Sequence, residues 1–357
     1  MSSPAFEEST EDTVAWGYTK ELLDSQVLGL DLEADSLFRF QEKICLIQIT
    51  DGTQGVLVDP FSDDIETLSK ALLSRAVWMH GADYDMSLMR QAWNDLPVQI
   101  WDTQIGARLV GCRKFGYANL VQEFFDVTLS KTSQKANWGQ RPLPDKMARY
   151  ALNDVRYLIP LSQKILARLN ELGRMSWFEE SCAWERRRGL ERDMSREEAW
   201  RIKGSGKLDS HSLAFLKAFW AWRENEARKW DRPSFMVAGN KDLLAWVQAA
   251  KKEQRIELPR TMRSDRRKRF LSVLEKVKEL GEEEWPKRIR APRAQRDRER
   301  EKKVDAILEH RESRANELDL EASILGSRAA IEAFVANDSS KLMGWQMEVL
   351  NLSTVGD

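Results

Sequence analysis

The sequence predicts a mixed α/β sheet covered by helices, followed by an all-helical remainder. Three observations carry this. Short runs rich in Val, Ile and Leu stand between turn formers early in the chain, strand and helix patterns then alternate, and strand signals stop beyond residue 174.

Residues 27–34 (VLGLDLEA), 43–50 (KICLIQIT) and 55–59 (GVLVD) read as three adjacent strands, with turn formers such as DGTQG between them. Residues 63–75 read as a helix, AVWMH as a fourth strand, DYDMSLMRQAW as the helix that follows it, and VQIWD as a fifth strand before helices near 103–111 and 117–125. Strands first paired by tight turns and then alternating with helices give the mixed sheet. A polar loop, VTLSKTSQKANWGQRPL, leads to Pro144, a residue favoured in a first turn, and to a helical run that ends at Gly173. Pro160 inside that run is expected to kink or break it. Further on, SHSLAFLKAFWAWRENEARKW has Ser210 as its expected cap and an apolar stripe of Leu213, Leu216, Phe219 and Trp220. GNKDLLAWVQAA and DRRKRFLSVLEKVKEL follow as helices, residues 286–303 form a charged connector, and a last helical unit holds SRAAIEAFVAN and KLMGWQMEVL.

A chain of 357 residues implies two or three domains, and 42% hydrophobic with 32% charged residues describes a soluble, helix-rich protein. No apolar run approaches the roughly 18 residues that cross a bilayer, and the acidic start MSSPAFEESTEDT lacks the layout of a secretion signal. No membrane association and a cytoplasmic location are expected. Cys45, Cys112 and Cys182 are isolated, so neither a disulfide framework nor a zinc knuckle is expected. The net charge of -1 hides an asymmetry: 18 acids against 6 bases over residues 1–100, and 20 bases against 11 acids over residues 251–303. Basic segments contact phosphates, while an acidic cleft approaches a polyanion productively only with divalent cations in it.

The acids sit where chemistry needs them. Residues two apart on a strand share a face, so Asp31 and Glu33 converge opposite the apolar Leu30 and Leu32. Like charges held so close repel, and a cation between them relieves the cost. Asp85 lies near the start of a helix leaving a strand, where side chains point into a cleft. Tyr150 and Asp154, spaced i, i+4, share a helix face. Four carboxylates at one end of a sheet suit Mg²⁺ or Mn²⁺ rather than zinc.

DLEAD, HGADYD and the Tyr-x-x-x-Asp of YALND, in this order, resemble the three exonuclease motifs of the ribonuclease D group of DEDD-type 3′-to-5′ exonucleases. QEKICLIQI and NWGQRPL resemble the stretches that accompany them, and the resemblance covers residues 13–170. Residues 205–285 are similar to the HRDC helical domain of ribonuclease D and RecQ-type helicases, and the tail, with GWQMEVL, resembles a degenerate second copy. Relatives that use histidine carry it five positions before the last Asp. Arg149 stands there, with Tyr150 four before, which marks the tyrosine subtype.

The resemblance implies a ribonuclease H-like exonuclease domain over residues 1–172, a helical linker over 173–204, an HRDC domain over 205–285, the connector over 286–303 and the degenerate unit over 304–357. It also implies phosphodiester hydrolysis with two divalent ions. In that scheme Asp31 bridges both, Glu33 and Asp154 complete the nucleophile side, Asp85 supports the other ion, and Tyr150 orients the attacking water. The expected activity is trimming of single-stranded RNA 3′ ends to nucleoside 5′-monophosphates, as in tRNA precursor maturation, by a monomer with membership of an RNA-degradation complex left open. A DNA exonuclease and a silent RNA-binding protein are the alternatives.

Weaker expectations concern substrate contacts. His80 touches the terminal nucleotide or satisfies a strand-end carbonyl. Lys131, Lys135, Trp138 and Arg141 have the makeup that grips phosphates and stacks bases, with a core role open for Trp138. Arg266, Arg267, Lys268 and Arg269 form the RNA contact expected of the helical domain. Asp35 is expected as a surface acid rather than a further ligand.

Overall fold

The computed structural model describes residues 14–130, 133–195, 197–289 and 297–352. The acidic start, Lys131 and part of the charged connector lie outside the described residues. The described residues fall into two compact units: residues 14–34, 44–192 and 297–352 form one, and residues 35–43 and 193–289 the other.

The first unit is built on five strands, β1 (Gly29–Ala34), β2 (Ile44–Thr50), β3 (Gly55–Val58), β4 (Ala76–Met79) and β5 (Gln99–Asp102), in the order β3-β2-β1-β4-β5. The short connections give antiparallel β1/β2 and β2/β3 pairs, whereas β1/β4 and β4/β5 are parallel. A short helix, α1 (Lys20–Leu23), precedes the sheet; α2 (Ile65–Leu73) leads into β4, and α3 (Asp83–Trp93) crosses from β4 to β5. Strand β1 is central, and alternation splits its residues as the sequence requires. Leu30 and Leu32 join a buried cluster with Ile47, Ile49, Val77 and Met79. On the other face Asp31 stands in register with Gln48 and Glu33 with Leu46, and a register shift after Glu33 ends the regular pairing.

Helices α4 (Thr103–Leu109), α5 (Tyr117–Phe125), α6 (Asp145–Arg156), α7 (Leu158–Glu171) and α8 (Met175–Glu191) complete this part. Pro144 is the N-cap of α6 rather than its first-turn residue. The expected break falls at Tyr157, between α6 and α7. Proline has no N–H and its ring collides with the carbonyl four residues back, which for Pro160 is that of Arg156, the last residue of α6. Helix α8 occupies most of the expected linker, and its Phe178 and Cys182 are buried beside Trp78 and Leu169.

The second unit packs α9 (Ser210–Trp230), α10 (Asn240–Lys251) and α11 (Ser264–Lys278) around Leu213, Leu216, Phe219, Trp222, Trp246 and Phe270. Ser210 is not the cap of α9: the Asp209 carboxylate accepts from the Ser212 N–H at 2.9 Å, and Ser210 is the first helical residue. Residues 35–43 belong here through an Arg39–Asp231 ion pair of 2.5 Å and a bond of 2.6 Å from Arg232 to the Phe38 carbonyl.

Helices α12 (Arg298–Glu317), α13 (Arg328–Val335) and α14 (Gly344–Val349) return to the first unit. The segment expected as a second helical domain shares a core with the sheet's helices, since Leu320, Leu325, Trp345 and Val349 cluster with Trp78, Ile165, Leu169 and Phe178. Trp345 stacks on Trp177 at 4.8 Å, and the Glu180 carboxylate accepts from the Gly344 and Trp345 N–H groups at 2.6 and 3.0 Å. Beside the long α12, the segment adds only helices of eight and six residues, and its Leu320, Leu325, Trp345 and Val349 are buried against the sheet's helices instead.

Candidate active site

Strand β1 and helix α6 bring three acids together. One carboxylate oxygen from each of Asp31, Glu33 and Asp154 lies within 4.8 Å of the other two. Burial, followed by the charges of Asp85, Asp154 and Glu33, pushes the Asp31 carboxyl well above the usual carboxylate range. Burial and then Asp154 and Asp85 raise Glu33 to about 9. Asp154 rises to about 7 by burial, opposed by a hydrogen bond from the Tyr150 hydroxyl. Among the described residues no Lys or Arg forms an ion pair with any of the three.

Asp85 stands outside this close triple, near enough for its charge to raise both Asp31 and Glu33. Its own carboxyl is pushed up to about 7 by burial and by the charge of Asp102. The sequence does not single out Asp102, yet its carboxylate accepts from the N–H groups of Gly81 at 2.8 Å, Ala82 at 2.9 Å and Gln104 at 2.8 Å. One buried side chain thereby caps α4 and holds the turn that opens α3, the helix that carries Asp85. That turn needs a glycine, because Gly81 has φ +67°. Tyr117 is a second residue that sequence reasoning does not find. Burial raises its hydroxyl, with Asp154 and Asp31 contributing; it accepts from the Tyr157 N–H at 3.0 Å and its ring lies 5.4 Å from that of His80. Tyr117 has no sequence signal, and Asp102 has only that of a helix cap, since its bonds to Gly81 and Ala82 join positions about twenty residues away.

The structure corrects several expected substrate contacts. Trp138 is 1% exposed and packs against the Tyr150 ring at 6.1 Å, so it is a core residue that backs the site rather than a base-stacking surface. Arg141 directs all five of its N–H donors to protein acceptors: both Asp59 oxygens and the carbonyls of Cys45, Trp138 and Gln140, at 2.6 to 2.8 Å. It staples the loop and has no donor left for phosphate. Arg266 and Arg269 both bind the buried Glu226 carboxylate, Arg267 donates to the Pro259 carbonyl, and Lys268 is exposed. His80 is partly buried, with Nδ1 2.9 Å from the Thr103 hydroxyl, and burial lowers its pKa. Lys135 is exposed. Asp35 is not a surface acid: it is 1% exposed and accepts from the Lys43 N–H at 3.0 Å.

Three mutually close carboxylates, pushed toward protonation and lacking a cationic partner among the described residues, fit a hard divalent cation: its charge removes the repulsion, and oxygen is its preferred donor. The family described as 3′-5′ exonuclease matches residues 7–170. Ribonuclease D of Pseudomonas paraeruginosa is 29% identical over 305 residues, covering 82% of this chain and 80% of that protein. Ribonuclease D of Escherichia coli is 30% identical over 209 residues, 57% of this chain and 56% of that protein. Among solved structures, E. coli RNase D shares the fold with a TM-score of 0.74 at 24% identity, covering 95% of this chain and 96% of that one. The catalytic core of RRP6 from Trypanosoma brucei has a TM-score of 0.60 at 20% identity, covering 74% and 79%. Fold and acid cluster define a 3′-5′ exonuclease domain. Over most of its length the chain is similar to proteins named ribonuclease D.

Proposed function

We propose that the chain hydrolyses single-stranded RNA from its 3′ end and releases nucleoside 5′-monophosphates, with maturation of tRNA precursors as its setting. The observation that carries this reading is the gathering of Asp31, Glu33 and Asp154 oxygens within 4.8 Å. Asp31, Glu33 and Asp154 would hold Mg²⁺ or Mn²⁺, with Asp85 supporting a second ion beside them. Divalent cations supply activation of water and neutralisation of charge on the leaving 3′ oxygen. Tyr150, whose hydroxyl bonds to Asp154 and whose ring is backed by Trp138, orients the attacking water. Water oxygen bonds to phosphorus as the bond to the 3′ oxygen breaks; the 3′ oxygen takes up the proton that water gives up, which leaves a 3′-hydroxyl on the shortened strand and releases the 5′-monophosphate.

The helical unit is read as the HRDC domain that holds the body of the strand, and the 304–357 segment as a degenerate copy resting on the nuclease. A groove of about 460 Å³ between α9 and α11 supports this reading. Trp222, Val273 and Val277 line it, with exposed Lys229 and Lys276 at its sides. A monomer working in the cytoplasm completes the proposal. The test is mononucleotide release from matched RNA and DNA oligonucleotides, with Mg²⁺ and with EDTA. RNA degradation that EDTA stops is expected. Equal or faster DNA degradation would move the reading to a DNA exonuclease, and no release from either would leave a silent binding protein.

A further inference from the structure

The acid cluster has a polar neighbour on the adjacent strand. Gln48 lies mid-strand in β2, in register with Asp31 on β1 and with Leu57 on β3, so its side chain leaves the sheet on the face that carries Asp31. It is 0% exposed, and neither its amide oxygen nor its amide nitrogen has a hydrogen-bond partner among the described residues. Its flanking core residues are apolar: Leu46 and Leu57 pack there against Ala148 and Ala151 of α6. A glutamine in such a place is costly, because a buried amide without partners loses its hydration and gains nothing in return. Leucine or methionine would fill the same volume without that cost, so the amide calls for a task outside packing.

Directly opposed residues of an antiparallel pair have Cβ atoms about 4.5 to 5.5 Å apart, which puts the Asp31 carboxylate within reach of a glutamine amide after a side-chain rotation. Carboxylates that bind cations are themselves hydrogen-bonded by a further shell of side chains, which fixes the oxygen turned to the ion. We infer that Gln48 is the positioning residue for Asp31: its amide N–H donates to one carboxylate oxygen and leaves the other facing the cation. This rests on the reading of Asp31 as a cation ligand given above.

The experiment is calorimetric titration of Mg²⁺ into the full, metal-stripped chain, with thermal unfolding in EDTA alongside. In Gln48→Met the Mg²⁺ affinity should weaken by about tenfold or more, with an unfolding temperature equal to or above that of the native chain. Ile47→Val, a buried change on the opposite face, should leave Mg²⁺ affinity within about twofold. Native-like affinity in Gln48→Met overturns the inference whatever its unfolding temperature. If Gln48→Met is destabilised as well as weakened, the comparison with Ile47→Val decides: equal weakening there overturns the inference, and its absence supports it. Failure of the native chain to bind Mg²⁺ would instead strike the reading of the acid cluster itself.

Discussion

Two groups of buried charges teach different things. In the helical unit, Glu226 is 3% exposed yet its carboxyl is held below the usual range, because Arg269 and Arg266 bond to it. Around β1, Asp31, Glu33 and Asp154 are only partly buried, yet their carboxyls are pushed up, and no basic residue among those described answers them. The first group is complete within the fold. The second has no such partner among the described residues, and perturbed acids of that kind mark a candidate functional site.

The largest effect should come from Asp31→Asn. It should abolish mononucleotide release while keeping or raising the unfolding temperature in EDTA, because it removes one of the repelling charges. Retained Mg²⁺-dependent activity would break the contrast. Next, Arg266→Ala with Arg269→Ala should cost about 3 kcal/mol in unfolding by denaturant, since it strands Glu226 as a buried charge; the low end of the range applies because Arg269 is 40% exposed. Stability should also depend on pH. Groups whose folded pKa is raised contribute stability that is present below their unfolded values and lost as pH rises through the folded ones. The metal-free chain should therefore unfold at progressively lower temperature as pH climbs toward 9, the value to which Glu33 is raised. Glu33→Gln should flatten that slope, and added Mg²⁺ should raise the unfolding temperature most at the alkaline end. Asp59→Asn should cost about 2 kcal/mol by loosening Arg141, measured by denaturant unfolding. Smallest of all, Asp209→Ala should cost about 1 kcal/mol as a lost cap and Ser210→Ala almost nothing.

Much of this is legible in the chain. The five strands and the order of the first helices follow from period and turn residues, which are local properties. The pairing of Asp31 with Glu33, and of Tyr150 with Asp154, follows from strand and helix spacing. The substrate contacts are not legible. Arg141 and Arg266 have the composition of phosphate binders, but Asp59 and Glu226, far away in sequence, take their donors. Trp138 reads equally well as surface or core until α6 is laid over it. Asp102 looks like the end of a strand, and only the fold shows that it bonds to a turn twenty residues earlier.

By itself the sequence determined which acids exist, on which strand or helix, and facing which way, because those depend on the repeat of the local backbone. Tertiary structure alone decided which charges find partners: a salt bridge joins segments brought together by folding, and nothing in either segment announces the other. It brought Asp154 to Asp31 and Glu33 with no basic side chain among the described residues to balance them, and it gave Glu226 two arginines.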